Sequence, residues 1–122
     1  MSLKTQRKTS YVLKDTVDEL GKISRESKSA LWRDIANRLT RPSRVMSQVN
    51  LGKISKMISD GETIVIPGKV LGNGYFNKKI TISALYVSES ALKKIKDSGS
   101  QFISLRDLAT ENPKGSNLKI IG

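Results

Sequence analysis

The nine residues from Thr63 to Leu71, Thr-Ile-Val-Ile-Pro-Gly-Lys-Val-Leu, constrain this chain more than any others. Ile64, Val65 and Ile66 are consecutive, and Val70 and Leu71 follow, so no alternation leaves one face for water. A short apolar run rich in Ile and Val is expected to be a strand buried on both faces. Pro67-Gly68 interrupts it and predicts a bend or a sheet edge there, because proline donates no ladder hydrogen bond. A strand of this kind needs cover, and the rest of the chain supplies helices for it.

Before the strand, Leu13, Thr16, Val17, Leu20 and Ile23 recur at three- and four-residue steps and predict a helix from Ser10, capped by Thr9 or Ser10. A second helix follows Ser27 or Ser29, with Leu31, Ile35 and Leu39 on one stripe. It stops before Pro42, which disfavours helical backbone in the preceding residue. Asn50 suits the N-cap of a short helix bearing Leu51, Ile54, Met57 and Ile58, closed by an Asp60-Gly61 turn. After Gly72-Asn73-Gly74, the segment Lys79 to Val87 reads as a strand with Ile80, Ile82, Ala84 and Tyr86 on one face. A helix capped by Ser88 then points Ala91, Leu92 and Ile95 inward and Lys93, Lys94 and Lys96 outward, and Gly99 ends it. A short strand at Gln101 to Ile103, a helix begun by Ser104 with Asp107 and ended at Asn112-Pro113, and a last strand at Leu118 to Ile121 complete the order. The fold class is α/β in a single domain, 10–122, preceded by a polar, basic arm, 1–9, ordered only on a partner.

With 122 residues, of which 37% are hydrophobic and 27% charged, the chain is long enough for one domain with a modest core and too short for two ordinary domains. Aromatic residues are only 5%, so that core is aliphatic, and Trp32 belongs to it or to its edge. Twenty-two Lys and Arg oppose eleven Asp and Glu, a formal charge of +11. Self-repulsion at that charge is costly for a compact domain, and nucleic-acid phosphates are the commonest partner that relieves it.

The charge is also clustered. Between Asp34 and Asp60 there is no acid, while Arg38, Arg41, Arg44, Lys53 and Lys56 fall inside. A second acid-free window, Thr63 to Ser88, holds Lys69, Lys78 and Lys79, and the arm brings Lys4, Arg7 and Lys8. Arginine forks pair with phosphate oxygens and stack on exposed bases, which suits the cluster that spans the end of the second helix. The plainer reading of any one of these residues is a solvated surface cation. The first helix is different: Asp15, Asp18, Glu19 and Glu26 against Lys22 and Arg25 suggest a face toward water or protein.

Cysteine and histidine are absent, so there is no disulfide framework, no thiolate nucleophile and no usual zinc ligand set, as suits a reducing cytoplasm. No run approaches the ~20 apolar residues of a membrane span, and Met1 to Arg7 leads into Lys8, Thr9 and Ser10 rather than the apolar core of a secretory signal. Gly72-Asn73-Gly74 invites comparison with a phosphate-binding loop but lacks the third glycine of a dinucleotide fingerprint and the Gly-Lys-Ser/Thr of a P-loop. A tight turn is the plainer reading, although such a turn lets backbone approach a phosphate. Rings are too few for a single-strand stacking platform, no recognition-helix pattern for duplex DNA is present, and carboxylates form no acid–base pair.

Six ordered blocks carry a resemblance: Leu31–Ala36 (LWRDIA), Val49–Ile54 (VNLGKI), Asp60–Thr63 (DGET), Pro67–Gly72 (PGKVLG), Ser88–Ala91 (SESA) and Asn112–Ser116 (NPKGS). Together they resemble the archaeal form of large-subunit ribosomal protein eighteen, whose bacterial relative is large-subunit protein fifteen. The resemblance covers about Ser24 to Gly122. It implies N-terminal helices followed by an irregular strand–strand–helix superhelix, a place on large-subunit ribosomal RNA, no enzymatic activity and no cofactor. The sequence departs from the family pattern in two ways: Ser43, Val45, Met46 and Ser47 dilute a region usually more basic, and Ser100 stands where relatives often carry a second glycine after Gly99.

The expected function is therefore structural: binding of folded large-subunit ribosomal RNA in cytoplasmic ribosomes, among neighbouring ribosomal proteins, by a chain that is monomeric when free. The expected RNA contacts are Lys4, Arg7, Lys8, Arg33, Arg38, Arg41, Arg44, Lys53, Lys56, a Lys69–Lys79 hairpin with Lys69, Gly72, Gly74, Lys78 and Lys79, and Lys114. A free-standing RNA chaperone or regulator has the same charge signature, and a small phosphate-substrate enzyme built on Gly72–Gly74 is the other class considered.

Overall fold

The computed structural model describes residues 9–40 and 47–121. Its elements are α1 (Thr9–Ser27), α2 (Ala30–Leu39), β1 (Ser47–Asn50), α3 (Leu51–Met57), β2 (Thr63–Leu71), β3 (Thr81–Val87), α4 (Glu89–Asp97), β4 (Gln101–Ser104), α5 (Leu105–Glu111) and β5 (Leu118–Ile120). Three helix starts follow from serine oxygens that accept otherwise orphaned N–H groups. Ser29 Oγ accepts from Trp32 N at 3.3 Å, Ser88 Oγ from Ala91 N at 3.1 Å, and Ser104 Oγ from Asp107 N at 3.2 Å. Asn50 occupies the cap position of α3, yet its side chain makes no capping bond. The expected cap of α1 lies outside the described side chains.

β2 is the spine of an all-parallel sheet, ordered β1-β2-β3-β4 with β5 also on β2. One edge of β2 pairs with β3; the other is divided, β5 lying against Thr63–Val65 and β1 against Gly68–Leu71. Pro67 falls in the gap between those two partners, where a missing N–H costs the ladder nothing. The β2–β3 register shifts between Ile66 and Lys69, so the expected bend is real, while the alternative of a sheet edge is not: β2 is central. β1 escapes sequence reading because three of its four residues are polar and its one apolar side chain, Val49, is the buried one among those described.

The expected Lys69–Lys79 hairpin is corrected. β2 and β3 run parallel, so the chain from Gly72 to Ile80 must return along the sheet rather than reverse in a tight turn. At about 3.3 Å per residue this extended segment is long enough, and Phe76 anchors it in the core. Its far end is held by Ser100, whose Oγ accepts from Ile80 N at 2.9 Å and donates to Lys78 O. A glycine at position 100 could do neither, which gives the departure at Ser100 a physical role.

Helices cover both faces of the sheet. On one, α3, α4 and Phe76 pack over Ile64, Ile66, Val70, Ile82 and Ala84. On the other, Leu20 of α1, Trp32, Ile35 and Leu39 of α2, and Leu105, Leu108 and Ala109 of α5 pack over Val65 and Leu85. This two-sided burial is what the apolar run demanded. Tyr86 leaves the predicted face and packs with the second core, directly after the register shift.

Candidate nucleic-acid interface

Leu51 and Ile54 bury one side of α3 completely, which leaves Lys53 and Lys56 on its exposed side. The loop Gly72-Asn73-Gly74 is laid against the first turn of this helix. Gly52 N donates to Asn73 O at 2.9 Å. A Cβ on Gly52 would stand 2.9 Å from Gly74 Cα, and one on Gly74 only 2.6 Å from Gly52 Cα, with φ at Gly74 of +92°. On its other flank the loop meets α4: a Cβ on Gly72 would collide with Ser90 Oγ and lie 2.7 Å from Ala91 N. Close backbone packing between α3 and α4 is thus a sufficient reason for these glycines, Gly72 itself being buried.

Lys94 completes the junction, and here the expectation from sequence is corrected. Expected to point outward with Lys93 and Lys96, it is half-buried, and its Nζ donates to Gly72 O at 2.5 Å and Gly74 O at 3.0 Å. Its ammonium thereby bridges two loop carbonyls.

Beside this junction lies an open cleft of about 490 Å³. Lys53, Lys56, Asn50, Asn73 and Tyr75 line it, and no lining residue is acidic. Tyr75 and Met57, at 75% and 47% exposure, are the large apolar side chains most open to solvent among the described residues. The contacts expected from sequence include neither Tyr75 nor Asn73, although Asn73 stands in the glycine turn noted there; the signal for Tyr75 is an aromatic between that turn and Phe76.

The other candidate residues do not converge on one patch. Lys69 is exposed on β2, its Nζ 5.9 Å from the Tyr86 ring centroid. Lys78 and Lys79 sit at the opposite, amino end of the sheet, where Lys79 N donates to Asp60 Oδ1 at 2.9 Å and Glu62 lines a cleft with Lys79. Arg33 is exposed on α2 beside a cleft that also holds Asp18 and Arg25. Arg38 Nε lies 3.3 Å from Asp34 Oδ2, one helical turn away. Lys114 is exposed in the turn after α5, its carbonyl accepting from Ser29 Oγ at 3.3 Å. Lys4, Arg7, Lys8, Arg41 and Arg44 lie outside the described residues.

The acidic helix α1 turns one side to α2 and α5, and Asp15 Oδ2 accepts from Arg106 Nη1 at 2.7 Å. No group of His, Cys, Asp and Glu among the described residues is placed to hold a metal ion, and no described helix is long and apolar enough to cross a membrane.

Comparison with known proteins sets this basic α/β domain among the ribosomal proteins of the large subunit. The family model described as ribosomal protein 60S L18 and 50S L18e matches residues 4–122. The chain is 54% identical over 121 residues to large ribosomal subunit protein eL18 of Picrophilus torridus, covering 99% of each chain. It is 46% identical over 114 residues to the Thermoplasma acidophilum protein of that name (93% of this chain, 95% of the relative), and 36% over 114 to that of Halobacterium salinarum (93% and 97%). The chain belongs to the L18/L18e family, as its six sequence blocks suggested.

Proposed function

We propose that the chain binds and stabilises folded large-subunit ribosomal RNA through Lys and Arg contacts to phosphate, without catalysis, as a component of cytoplasmic ribosomes. The observation that carries this reading is the acid-free surface of α3 with Lys53 and Lys56, on a chain whose formal charge is +11. Arg33, Arg38 and Lys69 add cations elsewhere on the described surface, and Arg41, Arg44 and the arm residues Lys4, Arg7 and Lys8 add more in the sequence. The α1 surface, where carboxylates interleave with cations, suits solvent or a neighbouring ribosomal protein. With its helices packed on both sheet faces, the free chain has no broad apolar surface among its described residues that calls for a second copy, which favours a monomer.

Each phosphate neutralised by a side chain releases counterions, so affinity for deproteinised large-subunit ribosomal RNA should fall linearly in log–log terms as salt rises. Filter binding between about 50 and 200 mM salt should lose affinity by about 10³ or more if six or more phosphates are contacted. Affinity that stays level over that range would remove the electrostatic basis of the reading.

A further inference from the structure

The junction of α3, the glycine loop and α4 holds Tyr75 in an unusual position. Gly74, just before it, is locked against Gly52 and bonded to Lys94; Phe76, just after it, is buried in the core. The backbone on either side is therefore fixed while the ring itself stands 75% exposed. An apolar ring presented to water by a rigid turn contributes little to folding and is well prepared to stack. Lys53 and Lys56 flank the same cleft without any carboxylate among its lining residues.

A second observation is independent of the charge. Asn50 also lines the cleft, and its Oδ1 is buried with no hydrogen-bond partner among the described residues. Buried side-chain oxygens nearly always have a donor, and here the cap geometry of α3 does not supply one. Turned toward the cleft, the same amide would accept from a base amino group or a ribose 2′-hydroxyl.

We propose that this cleft receives one unpaired nucleotide of the bound RNA, its base against the Tyr75 ring, its phosphates on Lys53 and Lys56, and a donor group on the Asn50 amide once that side chain turns into the cleft. The proposal rests on the RNA-binding reading above and sharpens it. Unpaired bases splayed from loops and bulges are recognised by stacking on aromatic rings and by their hydrogen-bonding edges. A volume of about 490 Å³ falls within the ordinary range of small-molecule sites. One ring suits one base, so the site does not need the row of aromatics that a single-strand platform requires.

The test compares full-length wild type, Tyr75→Ala, Tyr75→Phe and Lys53→Ala/Lys56→Ala in filter binding to deproteinised large-subunit ribosomal RNA over a salt series. Tyr75→Ala should weaken binding about 5- to 150-fold, the worth of one stacked base, with the salt slope unchanged. Tyr75→Phe should bind like wild type, because it keeps the ring. The double lysine variant should instead lower the slope. Thermal melts of all variants should coincide, since the three side chains are exposed. Wild-type affinity in Tyr75→Ala, alongside normal salt dependence, would overturn the nucleotide site and leave the phosphate reading standing; so would equal losses in the Phe and Ala variants. Unchanged RNA affinity with poor incorporation of Tyr75→Ala into reconstituted subunits would assign the cleft to a protein neighbour and also overturn it. Wild-type binding that ignores salt would instead defeat the broader reading.

Discussion

The indole Nε1–H of Trp32 donates to the backbone carbonyl of Asn112 across 2.8 Å, tying α2 to the turn that follows α5. Ser27 Oγ donates to Pro113 O at 2.7 Å and Ser29 Oγ to Lys114 O at 3.3 Å, so three side chains around the α1–α2 corner bond to three successive carbonyls of that turn. Two of the sequence blocks that carried the family resemblance, Leu31–Ala36 and Asn112–Ser116, are thereby one physical unit. Trp32 itself is fully buried.

Trp32→Phe should destabilise the fold by about 2 kcal/mol, from the lost hydrogen bond and the smaller ring. Trp32→Ala should cost about 3–5 kcal/mol. Urea unfolding gives both values, and hydrogen exchange should show the loss in Trp32→Phe concentrated at the turn after α5. A Trp32→Phe variant as stable as wild type would mean that the bond to Asn112 contributes nothing.

The Gly52–Gly74 contact predicts a strong asymmetry between glycines. Gly74→Ala must relieve a 2.6 Å approach to backbone at a positive φ, a cost of about 2–4 kcal/mol. Gly61 also has a positive φ, but a Cβ there would meet nothing within 4 Å, so Gly61→Ala should cost only about 1 kcal/mol. Equal midpoints in thermal melts would argue against backbone packing as the reason for Gly74.

Lys94 bonds two loop carbonyls while half-exposed. Lys94→Met keeps the apolar stem and removes both bonds, with an expected loss of roughly 1–2 kcal/mol after allowance for solvent. Lys93→Met and Lys96→Met, on the exposed positions of the same helix, should stay within about 0.5 kcal/mol of wild type. Chemical denaturation of the three variants separates a structural lysine from its solvated neighbours.

Lys53 and Lys56 should act through phosphate. Replacing either with alanine is expected to lower the magnitude of the salt slope by about 1 and to leave the melting temperature unchanged. A weaker affinity with an unaltered slope would point to contacts other than phosphate.

Much of the fold was legible because local chemistry agreed with tertiary need. Ser29, Ser88 and Ser104 cap helices whose first turns require acceptors, and the Thr63–Leu71 run forms a strand with those bounds because an extended segment buries its four core aliphatic side chains on both faces. What escaped depended on pairing over long sequence distances. Parallel β2 and β3 look like a hairpin in one dimension, since a glycine turn and an extended return are written with similar residues. β1 has one buried apolar side chain and takes its strand character from β2. Lys94 reads as a surface cation until the loop carbonyls 20 and 22 residues away are placed over it. Among the candidate contacts, charge pattern alone could not show that Lys53 and Lys56 lie apart from Lys78 and Lys79, which the parallel topology carries to the other end of the sheet, where Lys79 meets Asp60 and Glu62. Tyr75 was obscured by an argument about how many rings a platform needs.

The central claim is that the carboxylate-free surface of α3 meets RNA while the mixed-charge surface of α1 does not. Amine-reactive labelling of the free protein and of intact large subunits, read lysine by lysine by mass spectrometry, tests it most directly. Lys53 and Lys56 should become protected in the particle, and Lys22, exposed on α1, should lose reactivity less. Full reactivity at Lys53 and Lys56 within the subunit, with protection confined to α1, would contradict the account.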